Sequence, residues 1–219
     1  MKCSVCSSEI KEKYCPKCGQ YHKNERISIK TIFGDLFGNL FSLEKSILKN
    51  IKIGLVQPKL LITNYWNGYR GYYYSPSKFL TIASLFFLLQ ISLKKKFLGI
   101  YVSSKFAEQF SVLLFLIFLY SIITYIIYYK FKKNYYEHLI LNIYNISLWS
   151  IIFVPISLLI SISGLEIIST NILFIYLILI IVWNSKVFEL SNKKRFIYIT
   201  LHIILLIITF VTIYQLFGN

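Results

Sequence analysis

The sequence predicts an all-α integral membrane protein of about five transmembrane helices, headed by a small cysteine-rich unit and an interfacial amphipathic helix. Three observations carry this prediction. Apolar residues make up 56% of the 219 residues and mean hydropathy is +0.61, above the roughly 45–50% apolar share of soluble domains. The apolar residues gather in five runs, at 77–93, 110–129, 139–163, 167–184 and 196–217. The only cysteines, Cys3, Cys6, Cys15 and Cys18, form two C-x-x-C pairs at the head of the chain.

The cysteine unit, residues 1–24, comes first. Two C-x-x-C turns separated by eight residues each offer two thiolates to one tetrahedral ion. Gly19, just after the last cysteine, eases the second turn. Four soft ligands closing a tetrahedron suit zinc and leave no open position for substrate, so the expected cofactor is structural Zn2+ in a zinc ribbon. So short a segment has no core of its own, and metal binding would supply its folding energy. Disulfides and a rubredoxin-like iron site are the alternatives. His22 lies close by but reads as a loop histidine, because four thiols complete the site. Reduced thiolates imply a cytoplasmic N-terminus, and no secretory signal peptide is visible in the polar opening segment.

Residues 27–76 read as an amphipathic, interfacial helical region ending in an aromatic belt. Ile32, Phe33, Leu36, Phe37, Leu40, Phe41, Ile47, Leu48 and Ile51 follow the spacing of one helical face. Lys30, Asp35, Asn39, Glu44, Lys45, Lys49 and Lys52 lie opposite. Ser42 is a candidate cap of a second helix, with Glu44 in its first turn. Gly34 and Gly38 form a G-x-x-x-G pair, a weak signal of helix pairing. Such a basic helix fits either the membrane surface or the protein's own bundle. The following stretch, NYWNGYRGYYYSPSKF, sets Trp66 and many tyrosines where rings favour the headgroup layer. Arg70 among them is a candidate headgroup contact; a snorkelling charge is the plainer reading.

The bundle, 77–219, carries the topology signal. With the N-terminus inside, the loops holding Lys130, Lys132 and Lys133, and Lys186, Lys193, Lys194 and Arg195, are inside as well. The loop with Lys94, Lys95, Lys96 and Lys105 falls outside against the rule, so the first span is either re-entrant or outvoted. The net charge of +15 then reads as topology plus attraction to anionic lipid headgroups, and argues against nucleic acid as partner. The implied location is the bacterial inner (cytoplasmic) membrane, multi-pass.

The third run begins YYEHLILNIYNISLW. His138, Asn142, Asn145 and Trp149 share one helical face. With Glu137, the residues His138, Asn142 and Asn145 are a candidate polar membrane site; the alternative is hydrogen-bond glue between helices. His202 reads as a satisfied core histidine, and Asn171, Asn184 and Gln90 as ordinary residues near span ends.

The order of these pieces matters together. C-x-x-C…Y-C-x-x-C-G-Q (Cys3, Cys6, Tyr14, Cys15, Cys18, Gly19, Gln20) precedes Pro58, Tyr65, Gly68, Arg70, Tyr73 and Pro76, and then Glu137 and His138. This order resembles an uncharacterised bacterial membrane family, domain of unknown function 3667, over most of the chain. Gln57 stands where that pattern has Arg. The resemblance implies a membrane protein with a cytoplasmic zinc ribbon and brings no activity. Three functions follow as expectations. The first is an interaction module whose ribbon docks a cytoplasmic protein partner. The second is a small transporter or channel using the third run's polar face. The last is an intramembrane or lipid-modifying enzyme built on Glu137, His138 and Arg70. No catalytic motif is present, so no residue is assigned as catalytic.

Overall fold

The computed structural model describes residues 2–22, 26–32, 47–70, 73–93, 96–97, 100–101, 106–164 and 166–217. The calls on residues 33–46 (the apolar face from Phe33 to Phe41, the opposite-face Asp35, Asn39 and Lys45, and Gly34, Gly38, Ser42 and Glu44), and the loop charges Lys94, Lys95 and Lys105, lie outside them. The helices are α1 (Ile47–Val56), α2 (Pro58–Trp66), α3 (Pro76–Leu93), α4 (Phe106–Ile127), α5 (Tyr135–Ile162), α6 (Glu166–Val187) and α7 (Asn192–Phe217). All five apolar runs are therefore helices, with ends a few residues from the expected ones. Between α3 and α4 a small antiparallel hairpin pairs Lys96 with Tyr101 and Phe97 with Ile100.

By length and composition, two of these helices can cross a membrane, the stretches Tyr135–Ile162 and Asn192–Thr212. Their surroundings differ. α5 sits at the centre, packed by α3, α4 and α6 and touched by α1, whereas α7 leans on α4 and α6 along one side only. Large apolar side chains point outward on every long helix: Leu85, Phe118, Leu159, Phe174 and Ile207 are all exposed. The buried interior is an apolar core that also encloses polar groups, among them Thr124, His138, Asn142, Asn145, Asn184 and His202.

α5 starts at a capping box. Asn134 Oδ1 accepts from the Glu137 N–H at 2.8 Å, and Glu137 Oε2 accepts from the Asn134 N–H at 2.7 Å. Two otherwise orphaned donors are satisfied reciprocally. Replacing Asn134 by Ala is expected to cost about 1 kcal/mol of stability, measured as a shift in a detergent unfolding titration.

α1 docks on the protein itself. Asn50 and Gly54 are its buried residues, while Leu48, assigned above to the apolar face, is 78% exposed. Asn50 Oδ1 accepts from the Tyr74 N–H at 2.9 Å. Gly54 lies so close to α5 that an added Cβ would stand 2.9 Å from Leu148 Cδ2. Its carbonyl accepts from Trp183 Nε1 at 2.9 Å. Gly54→Val is therefore expected to lose about 1–3 kcal/mol by overpacking, more than Gly54→Ala in the same titration, because Leu148 can yield to one methyl.

Candidate functional site: a four-thiol cluster and a buried polar face

The cysteine unit is built twice from the same turn. Cys3 N donates to Ser8 O and Ser7 N to Cys3 O; twelve residues on, Cys15 N donates to Gln20 O and Gly19 N to Cys15 O. The bridges Lys2 to Glu9 and Tyr14 to Tyr21 flank the two turns. Each turn needs one left-handed residue, and these are Ser7 at φ 58° and Gly19 at φ 67°. A side chain in that region costs roughly 1–2 kcal/mol. Ser7→Gly is accordingly expected to tighten metal binding and Gly19→Ala, which meets no atom within 4 Å, to weaken it, both read by competition with a chromogenic chelator.

All four sulfurs lie within 4.8 Å of one another. Cys3 Sγ to Cys18 Sγ and Cys6 Sγ to Cys15 Sγ are both 3.5 Å, far beyond a disulfide bond, and all four cysteines are free. A tetrahedral ion with metal–sulfur bonds of about 2.3 Å needs sulfur–sulfur edges of about 3.8 Å. The cluster therefore fits one metal ion with all its positions filled by protein.

Ser8, which the sequence reading passed over, touches both pairs: its Oγ is 2.9 Å from Cys6 Sγ and 3.0 Å from Cys15 Sγ. Hydrogen bonding from this hydroxyl holds Cys15 down to about 6 and lowers Cys6. Burial pushes Cys18 up to about 12, a cost that a cation among the sulfurs reverses.

The unit does not hang free. Tyr69 packs against the Cys3, Ile10 and Cys15 core, and its hydroxyl donates to Lys2 O at 3.0 Å. The His22 ring lies 4.8 Å from the Tyr69 ring, so His22 is a docking contact and not a solvated loop residue. Arg70 N donates to Tyr21 O at 2.8 Å. The Arg70 guanidinium, the candidate headgroup contact, is instead buried, with its carbon 5.1 Å from the Tyr65 ring centroid. Further on, Arg26 Nη2 donates to Lys132 O at 2.8 Å and pairs with Glu137 Oε2 at 3.2 Å. Asn134 Nδ2 donates to Ile27 O at 3.0 Å. These contacts hold the segment after the cysteine unit against the start of α5.

On α5, Glu137, His138, Asn142 and Asn145 are all buried. Glu137 is a structural junction. Its carboxylate closes the capping box and faces Arg26 and Lys133, and its carbonyl accepts from Trp66 Nε1 at 3.0 Å. Asn142 and Asn145 belong to an amide cluster joined by Asn184. Asn142 Nδ2 donates to Thr124 Oγ1 at 2.9 Å and Asn184 Nδ2 to Asn142 Oδ1 at 3.0 Å. Asn145 Nδ2 donates to Asn184 Oδ1 and to Ile180 O, both at 2.8 Å. α4, α5 and α6 are thereby tied at one level. Asn184, read from sequence as an ordinary span-end residue, is fully buried and central. Its signal was the four-residue spacing Tyr176, Ile180, Asn184 on α6. His138 lies between the Tyr125 edge and the Phe188 face, at 5.7 Å and 5.9 Å.

No family model, curated protein or solved structure matches this chain.

Proposed function

We propose that the chain is a multi-pass protein of the cytoplasmic membrane whose N-terminal zinc ribbon docks a cytoplasmic protein partner. The carrying observation is the closed four-thiol cluster, held by Tyr69 while Tyr14 is 62% exposed. Lys11, Glu12, Lys13 and Lys17, near Tyr14 in sequence, are exposed as well. An exposed aromatic residue among mostly basic neighbours in the sequence suits a partner with an acidic rim and an apolar centre. Four thiols with no open position favour zinc in a structural role.

Five spans are supported by the outward apolar side chains on α3 to α7, and by the amides, hydroxyls and histidines that are buried among the core residues instead of facing outward. A cytoplasmic N-terminus is supported by where the basic loops lie. Arg26 binds the carbonyl of Lys132 in one loop, and Lys59 of α2 pairs at 2.6 Å with Glu189 beside the other. Both basic loops thus lie near the N-terminal part of the chain, the arrangement that a cytoplasmic N-terminus and the positive-inside rule call for. The resemblance to domain of unknown function 3667 belongs to this proposal too, since it implies the same layout.

The Asn142 and Asn145 amides bond to one another through Asn184, which supports glue over a transport site at those residues. Glu137 serves as cap and ion-pair partner, which weighs against its use as a free base.

Affinity purification from native membranes at matched expression tests the docking proposal. A protein captured by the intact chain is expected to be lost with Tyr14→Ala, which leaves the metal site whole, and with Cys15→Ser. The same captured set from all three chains would refute it.

A further inference from the structure

We propose that the cysteine unit is a metal-dependent latch on the helices: its metal state is coupled, through two routes that converge on Glu137, to the capped start of α5. The inference rests on the metal-site part of the reading above and needs no docked partner.

The first route runs through the loop after α2. Tyr69 packs against the Cys3, Ile10 and Cys15 core, and its hydroxyl donates to Lys2 O. His22 and Tyr69 form an antiparallel bridge, and Arg70 N donates to Tyr21 O. Tyr69 N in turn donates to Asn64 O of α2. Trp66, at the end of the same helix, donates from Nε1 to Glu137 O.

The second route is the chain itself. Shortly after His22, Arg26 donates to Glu137 Oε2 from Nε at 3.4 Å and from Nη2 at 3.2 Å. Arg26 Nη2 also donates to Lys132 O. Asn134, the cap of α5, donates from its side chain to Ile27 O.

Three features make this seam responsive. The cysteine unit owes its order to the metal, because its own core is too small to fold it. The bonds that tie the unit to the loop use Lys2 O and Tyr21 O, backbone groups that a disordered unit cannot hold in place. The Glu137 carboxylate is buried, and apart from the Asn134 N–H its partners are Arg26 and, at 3.7 Å, Lys133. Lys133 also lies over the Trp66 ring, 4.5 Å from its centroid. Loosening Arg26 leaves a buried charge less compensated, which weakens the cap. Ile27 and Ile32 stay anchored in the main core, so the change is confined to Arg26 and the first turn of α5. Linkage makes the effect mutual: whatever factor the metal adds to the clasp, the clasp adds to metal affinity.

Purified full-length protein, with zinc content fixed by elemental analysis, tests both directions. Arg26 is largely exposed, so Arg26→Ala is expected to fold. It is expected to weaken zinc binding about fivefold, the low end for coupled sites, in competition with a chromogenic chelator. Glu137→Gln keeps the capping-box geometry without the charge and is expected to weaken it likewise, with the double variant no worse than either. If Glu137→Gln does not fold, Arg26→Ala decides. In the other direction, removing zinc is expected to speed hydrogen exchange at the Asn134 and Glu137 amides while the interior of α5 is unchanged. Wild-type zinc affinity in Arg26→Ala, or equal exchange at Asn134 and Glu137 with and without zinc, overturns the latch alone. A chain that takes up no zinc refutes the metal reading and the latch with it.

Discussion

Chelation of the purified protein is expected to unfold residues 2–22 while leaving the helices intact. The four-thiol unit buries only Cys3, Ile10 and Cys15 as its own core. Burying one such apolar side chain contributes about 1.5–3 kcal/mol, whereas fixing each residue's backbone costs about 1–2 kcal/mol. Apolar burial therefore cannot hold some twenty residues, and a structural metal, worth about 10–16 kcal/mol in comparable peptides, can. One zinc per chain by elemental analysis, and rapid proteolysis in the first turns after chelation, are the expected readings. Cys15→Ser should match chelation, since it removes a ligand that is 2% exposed and replaces it with a poor one. The cleavage pattern decides the point. If the chelated chain is cut no faster than the metal-loaded one, Tyr69, His22 and Arg70 hold the unit unaided and the metal is not its source of order.

Asn184→Leu is expected to destabilise the bundle by about 1–3 kcal/mol, because it strands the buried Asn142 Oδ1 without a donor. The replacement is apolar and similar in volume, so packing alone would predict little loss. Asn145 loses one acceptor but keeps the Ile180 carbonyl. Combining Asn184→Leu with Asn142→Leu should cost less than the sum, with a coupling near the 0.6–1.7 kcal/mol range found, at about that size, for interhelical hydrogen bonds in membranes. A folding titration in mixed detergent micelles measures this. Strict additivity would show that the three amides do not act as one cluster.

The helices were legible because long unbroken apolar runs can satisfy their own N–H and C=O groups only as helices, whatever packs around them. The four thiols were legible because spacing alone brings them together. What escaped was partnership across long sequence separations. Asn184 read as a span end because the spacing Tyr176, Ile180, Asn184 marks a face of α6 without showing that Asn142 lies across from it. Arg70 read as a surface charge among tyrosines, yet its backbone pairs with Tyr21 and its guanidinium turns onto Tyr65. Ser8 carries no signal in the sequence; only the doubled turn places its hydroxyl between two sulfurs. The face of α1 was misjudged for a related reason. Its buried side is set by Asn50 and Gly54, a polar residue and a residue with no side chain, which a hydrophobic pattern cannot register.

The clasp between Arg26 and Glu137 has a consequence for synthesis. The two residues are 111 positions apart, and α3 and α4 lie between them. The cysteine unit and its Tyr69 contact emerge from the ribosome before either helix, so they can form early. The clasp has to wait until α3, α4 and the start of α5 have all been made. A chain whose α5 start does not come back to the N-terminal segment leaves Arg26 without its carboxylate and Glu137 without its guanidinium. The clasp therefore closes late, on chains in which α3 and α4 have already brought the two ends together.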